Sequence, residues 1–168
     1  MTNKALIAMS GGVDSSVAAF LTKDMGYDAT GITLKLFDNE DIGEKREKTC
    51  CSLDDIDDAR RVCLKLGIPY YVYNFKDSFK ENVIDRFIRA YENGTTPNPC
   101  IDCNRFIKFE KLIRRAEELD FDCVVTGHYS TIEYDKGADR YLLKKSVDST
   151  KDQSYVLYTL SQDELEHL

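Results

Sequence analysis

The chain has 168 residues, of which 42% are hydrophobic and 32% charged, and a formal net charge of −7 at pH 7. These values are typical of one ordinary globular domain, and they exclude an indiscriminate nucleic-acid binder, though a local basic face can still dock RNA. No apolar run approaches the roughly 20 residues of a membrane-spanning helix, and the N-terminus lacks a signal-peptide pattern. We therefore predict a single domain over residues 1–168, located in the cytoplasm.

The chain begins with a strand, a turn rich in serine and glycine, and a helix. Residues 5–9 form an apolar run typical of a buried strand, and the turn reads Ser-Gly-Gly-Val-Asp-Ser at 10–15. A helix then extends to about Gly26. Glycines let the backbone turn sharply, and the free N–H groups of a first helical turn bind anions with help from the helix dipole. The pattern is neither GxxxxGKS/T nor GxGxxG, so we predict an anion site of another kind.

Two further strands flank the next predicted helix. Residues 28–37 alternate and predict a second strand, and residues 38–48 are polar and predict a surface loop. Ser52 is expected to cap the helix, which ends at Gly67 before a third strand at 68–75. The apolar positions of this helix are Leu53, Ile56, Ala59, Val62, Cys63 and Leu66. Its first turns carry Asp54, Asp55, Asp57 and Asp58. A solvated helix start, favoured by the dipole, explains these aspartates more simply than a metal site does.

The next two predicted helices enclose a loop that contains two prolines. The first spans residues 77–93, ends at Gly94, and buries Phe79, Val83, Phe87, Ile88 and Tyr91. The loop at 95–103 is stiffened by its prolines. Asn104 is expected to cap the second helix, which runs to about Leu119. A short strand at 121–126 follows and ends in Gly-His-Tyr.

Four strands alternating with helices predict an α/β fold, a doubly wound and mostly parallel sheet with helices on both faces. Ligands of such sheets bind beyond the carboxyl ends of the strands. The Ser-Gly-Gly turn, the end of the second strand near Leu34, and Gly127-His128 all belong at that edge. After them, 131–134 and 140–145 predict a β-hairpin, 153–160 a final helix, and 162–165 a further helical turn.

The six cysteines are expected to be thiols, metal ligands or catalytic sulfur rather than disulfides, given the predicted compartment. Cys100 and Cys103 form a CxxC pair at the start of a helix, where the dipole favours thiolate. Three interpretations remain open for the pair: a zinc site, a redox pair, and sulfur handling beside the anion site, as a persulfide or as iron–sulfur ligands. Cys63 and Cys123 lie in predicted core positions. Cys50 and Cys51 are unassigned.

A row of basic residues comes after Cys103 along one helix. Its members are Arg105, Lys108, Lys111, Arg114 and Arg115. Such a row is either a solvated helix face or a track for an RNA backbone. Both interpretations stay open from the sequence.

Five motifs, in order, give the chain a resemblance to the tRNA-specific 2-thiouridylases, members of the PP-loop ATP pyrophosphatase superfamily. They are Ser-Gly-Gly-Val-Asp-Ser at 10–15, Thr-Pro-Asn-Pro-Cys-Ile-Asp-Cys-Asn at 96–104, Ile-Lys-Phe at 107–109, Thr-Gly-His-Tyr at 126–129 and Lys-Asp-Gln-Ser-Tyr at 151–155. The resemblance implies an adenine nucleotide α-hydrolase-like PP-loop domain with a C-terminal hairpin and helix.

The resemblance also implies roles for individual residues. The residues expected to line the ATP site are Ala8, Met9, Ser10, Gly11, Gly12, Val13, Asp14, Ser15, Leu34 and Gly127. Asn98, Pro99 and Cys100 would lie against the target base, and Lys151, Asp152 and Gln153 would contact tRNA. Cys103 matches the first catalytic cysteine of the family, and Asp14 and Cys100 complete the expected catalytic set.

The reaction implied is 2-thiolation of the wobble uridine of tRNA. ATP, with Mg²⁺, would adenylate the C2 oxygen, and sulfur would then attack C2 as AMP leaves. A sulfur-donor protein is a further implied partner. The sulfur would arrive either as a persulfide or as sulfide bound to a 4Fe–4S cluster, with Cys100 and Cys103 among its ligands, and the sequence leaves both alternatives open. The second catalytic cysteine, the linker domain and the β-barrel of the family lie beyond the point where this sequence stops, so we expect only the catalytic domain here, unable to run a two-cysteine relay alone.

Two alternatives to this function stay open from the sequence. One is another PP-loop sulfurtransferase, or an amidating enzyme, that acts on a different substrate. The other is an iron–sulfur or sulfur-carrier module that binds nucleotide without turning it over.

Overall fold

The computed structural model describes residues 2–37 and 53–168. Its centre is a sheet of four parallel strands in the order β3-β2-β1-β4. Their bounds are Lys4–Ala8 (β1), Asp28–Lys35 (β2), Tyr70–Asn74 (β3) and Cys123–Val125 (β4). The direction in which the chain adds strands reverses between β1 and β4, which places a crevice beyond the carboxyl ends of those two strands. The parallel sheet predicted from the sequence is confirmed.

Helices cover both faces of this sheet. The first face carries α1 (Val13–Asp24) and α2 (Leu53–Leu66). The second carries a helical run of α3 (Lys76–Phe79), a π-helical segment (Lys80–Ile84) and α4 (Asp85–Glu92). It also carries α5 (Pro99–Asp102), a longer π-helical segment (Cys103–Phe109) and α6 (Glu110–Glu118). No helix within the described ranges is long and apolar enough to cross a membrane.

The core is divided by the sheet into two clusters. Leu6 and Ile32 belong to the larger cluster with Phe109 and Leu112, whereas Ile7 belongs to the smaller one with the residues of α1 and α2. Neighbouring residues of one strand thus point to opposite faces, as the period of two requires. The near-continuous apolar run at 5–9 therefore reflects a strand that is buried on both sides.

Two predictions about the helices on the second face are wrong. Asn104 does not cap a helix, because the helix already begins at Pro99 and Asn104 lies buried inside it. The cap is Asn98, whose side-chain oxygen accepts a hydrogen bond from the backbone N–H of Cys100 at 3.0 Å. The core face predicted for 77–93 also fails at Ile88 and Tyr91, which are exposed, whereas Phe87 is half-buried. A π-helical turn inserts one residue and rotates the rest of the helix by about 100°.

The end of the chain forms a small layer of its own beside the sheet. The predicted hairpin is confirmed as β5 (Thr131–Asp135) paired antiparallel with β6 (Arg140–Lys144). The predicted helix at 153–160 is wrong, because only a 3₁₀ turn, Ser154–Val156, forms there. The last helix, α7 (Gln162–Glu166), starts at a capping box of Ser161 and Glu164. The expected loop at 38–48, the Ser52 cap, Cys50 and Cys51 lie outside the described residues.

Candidate nucleotide site and cysteine helix

The turn between β1 and α1 is shaped by its own hydroxyl groups. Ser15 Oγ accepts a hydrogen bond from the backbone N–H of Ser10 at 3.2 Å and donates one to the carbonyl of Gly12 at 3.1 Å. Ser16 Oγ donates to the same carbonyl at 2.8 Å. Because Gly12 at the N-cap has no side chain, the first turn of α1 keeps N–H groups for an outside acceptor. This is the arrangement of an anion site at a helix N-terminus.

Two glycines are required by close approaches around this turn. Gly11 has a φ of +78°, and a Cβ placed on it would lie 2.5 Å from the backbone oxygen of Asp55 in α2. A Cβ placed on Gly127 would lie 2.8 Å from the backbone nitrogen of Ser15. The segment after β4 therefore touches the start of α1. Gly127 and the Ser-Gly-Gly turn thus lie together at the edge of the sheet, as the sequence predicts.

The end of β2 is joined to the turn through the backbone. The N–H of Met9 donates to the carbonyl of Ile32, and Thr33 Oγ1 donates to the carbonyl of Met9, both at 2.8 Å. Tyr70 OH in turn donates to Thr33 Oγ1 at 2.7 Å. Leu34 lies next along β2, but its side chain is only 7% exposed and packs in the larger core cluster. At this edge, Leu34 therefore offers its backbone rather than its side chain.

Asp14 is the exposed carboxylate of this turn, in the first turn of α1. Tyr129 OH donates a hydrogen bond to Asp14 Oδ1 at 2.7 Å. The sequence analysis did not assign Tyr129 to the site. The signal that could have identified it is its position two residues after Gly127, at the end of β4.

His128 lies between the end of β4 and the helix that carries the cysteines. Its Nδ1 is 2.9 Å from Thr126 Oγ1, and its ring centre is 5.8 Å from that of Phe109. Burial first, and then the positive charge of Lys108, lower the pKa of His128 from 6.5 to about 4. His128 is therefore neutral at physiological pH.

The two cysteines of the CxxC pair have different surroundings. Cys100 is exposed in the first turn of α5, and Cys103 is half-buried against the larger core cluster. Asn104, the buried residue after Cys103, donates from Nδ2 to the carbonyl of Cys100 at 2.9 Å. Arg86 Nε lies 3.3 Å from Asp102 Oδ2, and its guanidinium sits over the ring of Phe106. An outward thiol and an inward thiol are thus held within one helical turn.

The basic row after Cys103 divides into two parts. Lys111 donates to Ser78 Oγ at 2.5 Å, and Arg115 pairs with Glu118 at 2.8 Å. Arg114 lies near the same carboxylate, at 3.6 Å. The other part is Arg105 and Lys108, the members nearest the cysteines, and the guanidinium of Arg105 lies 5.0 Å from the centre of the Phe106 ring.

The segment at 151–153 packs on Tyr129. Gln153 Oε1 accepts from the N–H of Tyr129, and the N–H of Gln153 donates to the carbonyl of Tyr129, both at 2.9 Å. Lys151 Nζ lies 5.0 Å from the centre of the Tyr129 ring. Asp152 instead binds its own loop, accepting from Ser146 N–H at 2.9 Å and from Ser154 Oγ at 2.8 Å. These backbone and hydroxyl donors lower the pKa of Asp152.

Other acidic groups have local explanations. Asp57 and Asp58 pair with Arg60 and Arg61 one turn later, at 2.9 and 3.2 Å, which supports a solvated helix start rather than a metal site. Near the end of the chain, His167 lies 3.8 Å from Glu117 and bonds the carbonyl of Asp163. The backbone bond and the neighbouring acids raise the pKa of His167.

A family model described as the tRNA methyl transferase HUP domain matches residues 3–168. The chain belongs to this family. This HUP domain is 56% identical over 167 residues to "tRNA-specific 2-thiouridylase MnmA" of Clostridium beijerinckii and to the protein of that name from Clostridioides difficile. Each match covers 99% of the chain but 46% of the relative. The HUP domain thus spans about half the length of these relatives.

Solved structures with a similar fold are more distant. An NH3-dependent NAD synthetase from Campylobacter jejuni matches with a TM-score of 0.49 and 18% identity, over 74% of this chain and 46% of that one. A predicted subunit of tRNA methyltransferase from Methanocaldococcus jannaschii matches with a TM-score of 0.47 and 18% identity, over 74% of this chain and 52% of that one.

Proposed function

We propose that this HUP domain is the catalytic domain of a tRNA 2-thiouridylase, which uses ATP to place sulfur at C2 of the wobble uridine. The observation that carries the proposal is the glycine turn at 10–15, where Gly127 reaches the start of α1. The identity of 56% to relatives named 2-thiouridylases supplies the substrate. Because those relatives are about twice as long, the full reaction is a proposal for the longer protein.

ATP would bind with its phosphates against the first turn of α1. The backbone N–H groups there face the anion, and the helix dipole adds positive potential. Asp14 is the carboxylate that would hold Mg²⁺, which prefers oxygen ligands and phosphate bridges. The residues proposed to line this site are Ala8, Met9, Ser10, Gly11, Gly12, Val13, Asp14, Ser15, Leu34 and Gly127. Of these, Leu34 would act through its backbone.

The chemistry would proceed in two displacements. The C2 oxygen of uridine attacks the α-phosphorus of ATP, the bond to the β-phosphate oxygen breaks, and pyrophosphate leaves. The outer sulfur of a persulfide on Cys103 would then attack C2, the C2–oxygen bond would break, and AMP would leave with that oxygen. After these two displacements, a second thiol, supplied by the longer protein or by the donor, would attack Cys103 Sγ and break the sulfur–sulfur bond. Cys103 would then be left in a disulfide with that thiol, and the outer sulfur would stay on C2. Activation of oxygen in this way requires a soft sulfur nucleophile nearby, and we assign that place to the CxxC pair, with Cys103 as the reacting thiol and Cys100 beside the base.

The described residues do not complete a 4Fe–4S site. Such a cluster is held by four cysteine thiolates. Within residues 2–37 and 53–168, Cys63 lies in the smaller core cluster and Cys123 in β4, so only Cys100 and Cys103 are together. We therefore propose that a donor protein in the cytoplasm delivers the sulfur to Cys103.

The tRNA would approach over the cysteine helix and the segment at 151–153. Asn98, Pro99 and Cys100 are proposed to face the flipped wobble base, and Arg105 and Lys108 a neighbouring phosphate. Lys151 is exposed and suited to a second phosphate, whereas Asp152 is occupied in its own loop. Of the three residues at 151–153, the lysine would therefore contribute most to RNA binding.

The family description names methyl transfer, whereas the relatives are named for thiolation. Two features of this chain favour thiolation. A glycine turn suited to bind pyrophosphate fits a reaction that cleaves ATP, and a thiol pair on the helix that packs on His128 through Phe109 fits sulfur transfer. Methyl transfer to a base needs neither feature.

Binding of ATP is tested first with an Asp14→Ala variant. Loss of this carboxylate should weaken binding of ATP with Mg²⁺ by about tenfold or more, because a charge-assisted contact contributes about 1.5–3 kcal/mol. Asp24→Ala is the matched control, an exposed aspartate at the last position of α1. Calorimetric titration of both variants and the wild type gives the affinities. Equal affinity of the Asp14→Ala variant and the wild type would contradict the assignment, and failure of the wild type to bind ATP would overturn the proposed function.

A further inference from the structure

We propose that Tyr129 is a positioning residue that couples nucleotide occupancy of the 10–15 turn to RNA binding at the 151–153 segment. The inference rests on the proposed function, which places ATP at the first of these elements and tRNA at the second. It adds a residue to which the sequence analysis gave no role and a property, thermodynamic coupling, that neither site has alone.

Tyr129 is the point where the two elements meet. Its hydroxyl donates to Asp14 Oδ1 at 2.7 Å, although the two residues are 115 positions apart in the chain. Its backbone is held at both polar groups by Gln153, with two hydrogen bonds of 2.9 Å. Its ring carries the ammonium of Lys151 at 5.0 Å. Three kinds of contact therefore connect one residue to both proposed ligand sites.

Each ligand would act on a different end of this connection. Mg²⁺ with ATP engages the Asp14 carboxylate and so fixes the acceptor of the Tyr129 hydroxyl. A phosphate of RNA engages Lys151 and so acts on the ammonium that lies on the ring. Gln153 binds the backbone of Tyr129 through two hydrogen bonds. A ligand that orders the phenol through Asp14 therefore also orders the 151–153 segment. The ligand that binds second then finds its site already ordered, which is positive coupling.

The test measures this coupling rather than either affinity alone. The wild-type chain is titrated with a non-hydrolysable ATP analogue and Mg²⁺, with and without a saturating unmodified tRNA transcript that has uridine at the wobble position. We expect the transcript to tighten analogue binding about tenfold, within the usual range of coupling between sites, and the analogue to tighten transcript binding by the same factor. Tyr129→Phe keeps the ring under Lys151 and removes only the hydroxyl. In this variant, the affinity for the analogue with the transcript, divided by the affinity without it, should fall to near one.

Tyr134→Phe is the matched control, since it also removes a phenol that donates to an aspartate, Asp139, but on the hairpin. Its ratio should equal that of the wild type, and thermal unfolding should show both variants folded. A residue that only supports the fold would alter the affinity for the analogue equally with and without the transcript, so the ratio of these two affinities would not change. The inference is overturned if the Tyr129→Phe ratio matches the wild type, if Tyr134→Phe loses coupling equally, or if the wild type binds both ligands without coupling. Failure of the wild type to bind the analogue overturns the proposed function itself.

Discussion

At the scale of single residues, His128 shows how burial sets the charge at this site. It packs against Phe109 and binds Thr126, and neither of these neighbours supplies a counter-charge for an imidazolium. Lys108 opposes the imidazolium further. The imidazole of His128 is therefore neutral in the folded protein. Protonation would place a positive charge in a buried environment that does not stabilise it, and this would destabilise the fold.

This environment predicts a dependence of stability on pH. The folded pKa of about 4 lies below the ordinary value of 6.5, so the unfolded chain binds the proton more readily. The contribution of His128 to the free energy of unfolding is then complete above about pH 7. It is lost as the pH falls toward 4, and the loss is up to about 3 kcal/mol. Urea unfolding at pH 7 and pH 4.5 should show this loss in the wild type relative to His128→Gln, which does not titrate. When the two proteins are compared at the same pH, the effects of titrating the carboxylates and His167 are the same in both and cancel. A difference that stays constant with pH would contradict the burial assigned to His128.

Sequence reasoning at this scale can identify groups that lie close together along the chain. The turn at 10–15 and the CxxC pair were identified because glycine, hydroxyl and thiol groups cluster along the chain. Tyr129 was not, because its partner Asp14 is close only after the sheet brings β1 and β4 together. The position of Tyr129 two residues after Gly127 indicates this edge of the sheet, but the sequence does not show that its hydroxyl reaches Asp14.

At the scale of secondary-structure elements, α5 shows one side chain with two proposed roles. Asn98 caps this helix through the N–H of Cys100 and is also proposed to face the target base. The two roles make different demands, because a cap needs a short oxygen acceptor, whereas base recognition uses the amide. Substitution can therefore separate them.

We predict that Asn98→Ala lowers the free energy of unfolding by about 1 kcal/mol, the usual value of an N-cap, and that Asn98→Ser does not. Both variants should bind tRNA less well, because both lack the amide. Chemical denaturation and RNA titration give the two quantities. Equal stability of the Ala and Ser variants would show that the cap contributes nothing. Full tRNA affinity of the Ser variant would remove Asn98 from the base site.

The contact between β2 and α2 is tight enough to test directly. A Cβ on Gly31 would lie 2.5 Å from Cys63 Sγ, in a cluster where Cys63 is fully buried. Gly31→Ala should therefore cost about 1–3 kcal/mol through overpacking. In a Cys63→Ala background the new methyl group gains the space of the sulfur, so the same change should cost less. Thermal unfolding of the four proteins in this cycle gives the coupling between the two sites. Additive effects would show that sulfur and methyl do not compete for the space.

The elements differ in how much their own sequence reveals. Strand β1 was predictable because its apolar run fits a strand that is buried on both faces. Strand β3 was predictable from its aromatic and β-branched residues, although it lies at the edge of the sheet and Tyr71 is exposed. The sequence did not show which side of α1 is exposed. The buried residues of this helix are small (Ser15, Ala19 and Thr22), whereas the larger Val13 and Phe20 are 77% and 54% exposed. Close approach by β1 and Gly127 requires small residues on that face. The π-helical turns likewise depend on tertiary packing rather than on local periodicity.

At the scale of the whole molecule, the sheet brings three separated segments to one edge. The turn after β1, the end of β2 and the segment after β4 meet there through backbone contacts, and the cysteine helix joins through Phe109 and His128. A parallel α/β sheet places these points together regardless of their distance in sequence. This is why the Ser-Gly-Gly turn, the end of β2 and Gly127-His128 could be predicted to lie at one edge although they are far apart in the sequence.

Under the proposed function, this site uses ATP to activate the wobble uridine. The most direct measurement is pyrophosphate release by the chain from ATP and Mg²⁺, with a tRNA transcript that carries uridine at the wobble position and with the same transcript carrying cytidine there. We predict release with the uridine transcript alone, because cytidine has an amino group where uridine has a carbonyl and lacks the N3–H donor, so it does not match a site that recognises uridine. Equal release with both transcripts, or none with either although ATP is bound, would contradict the claim.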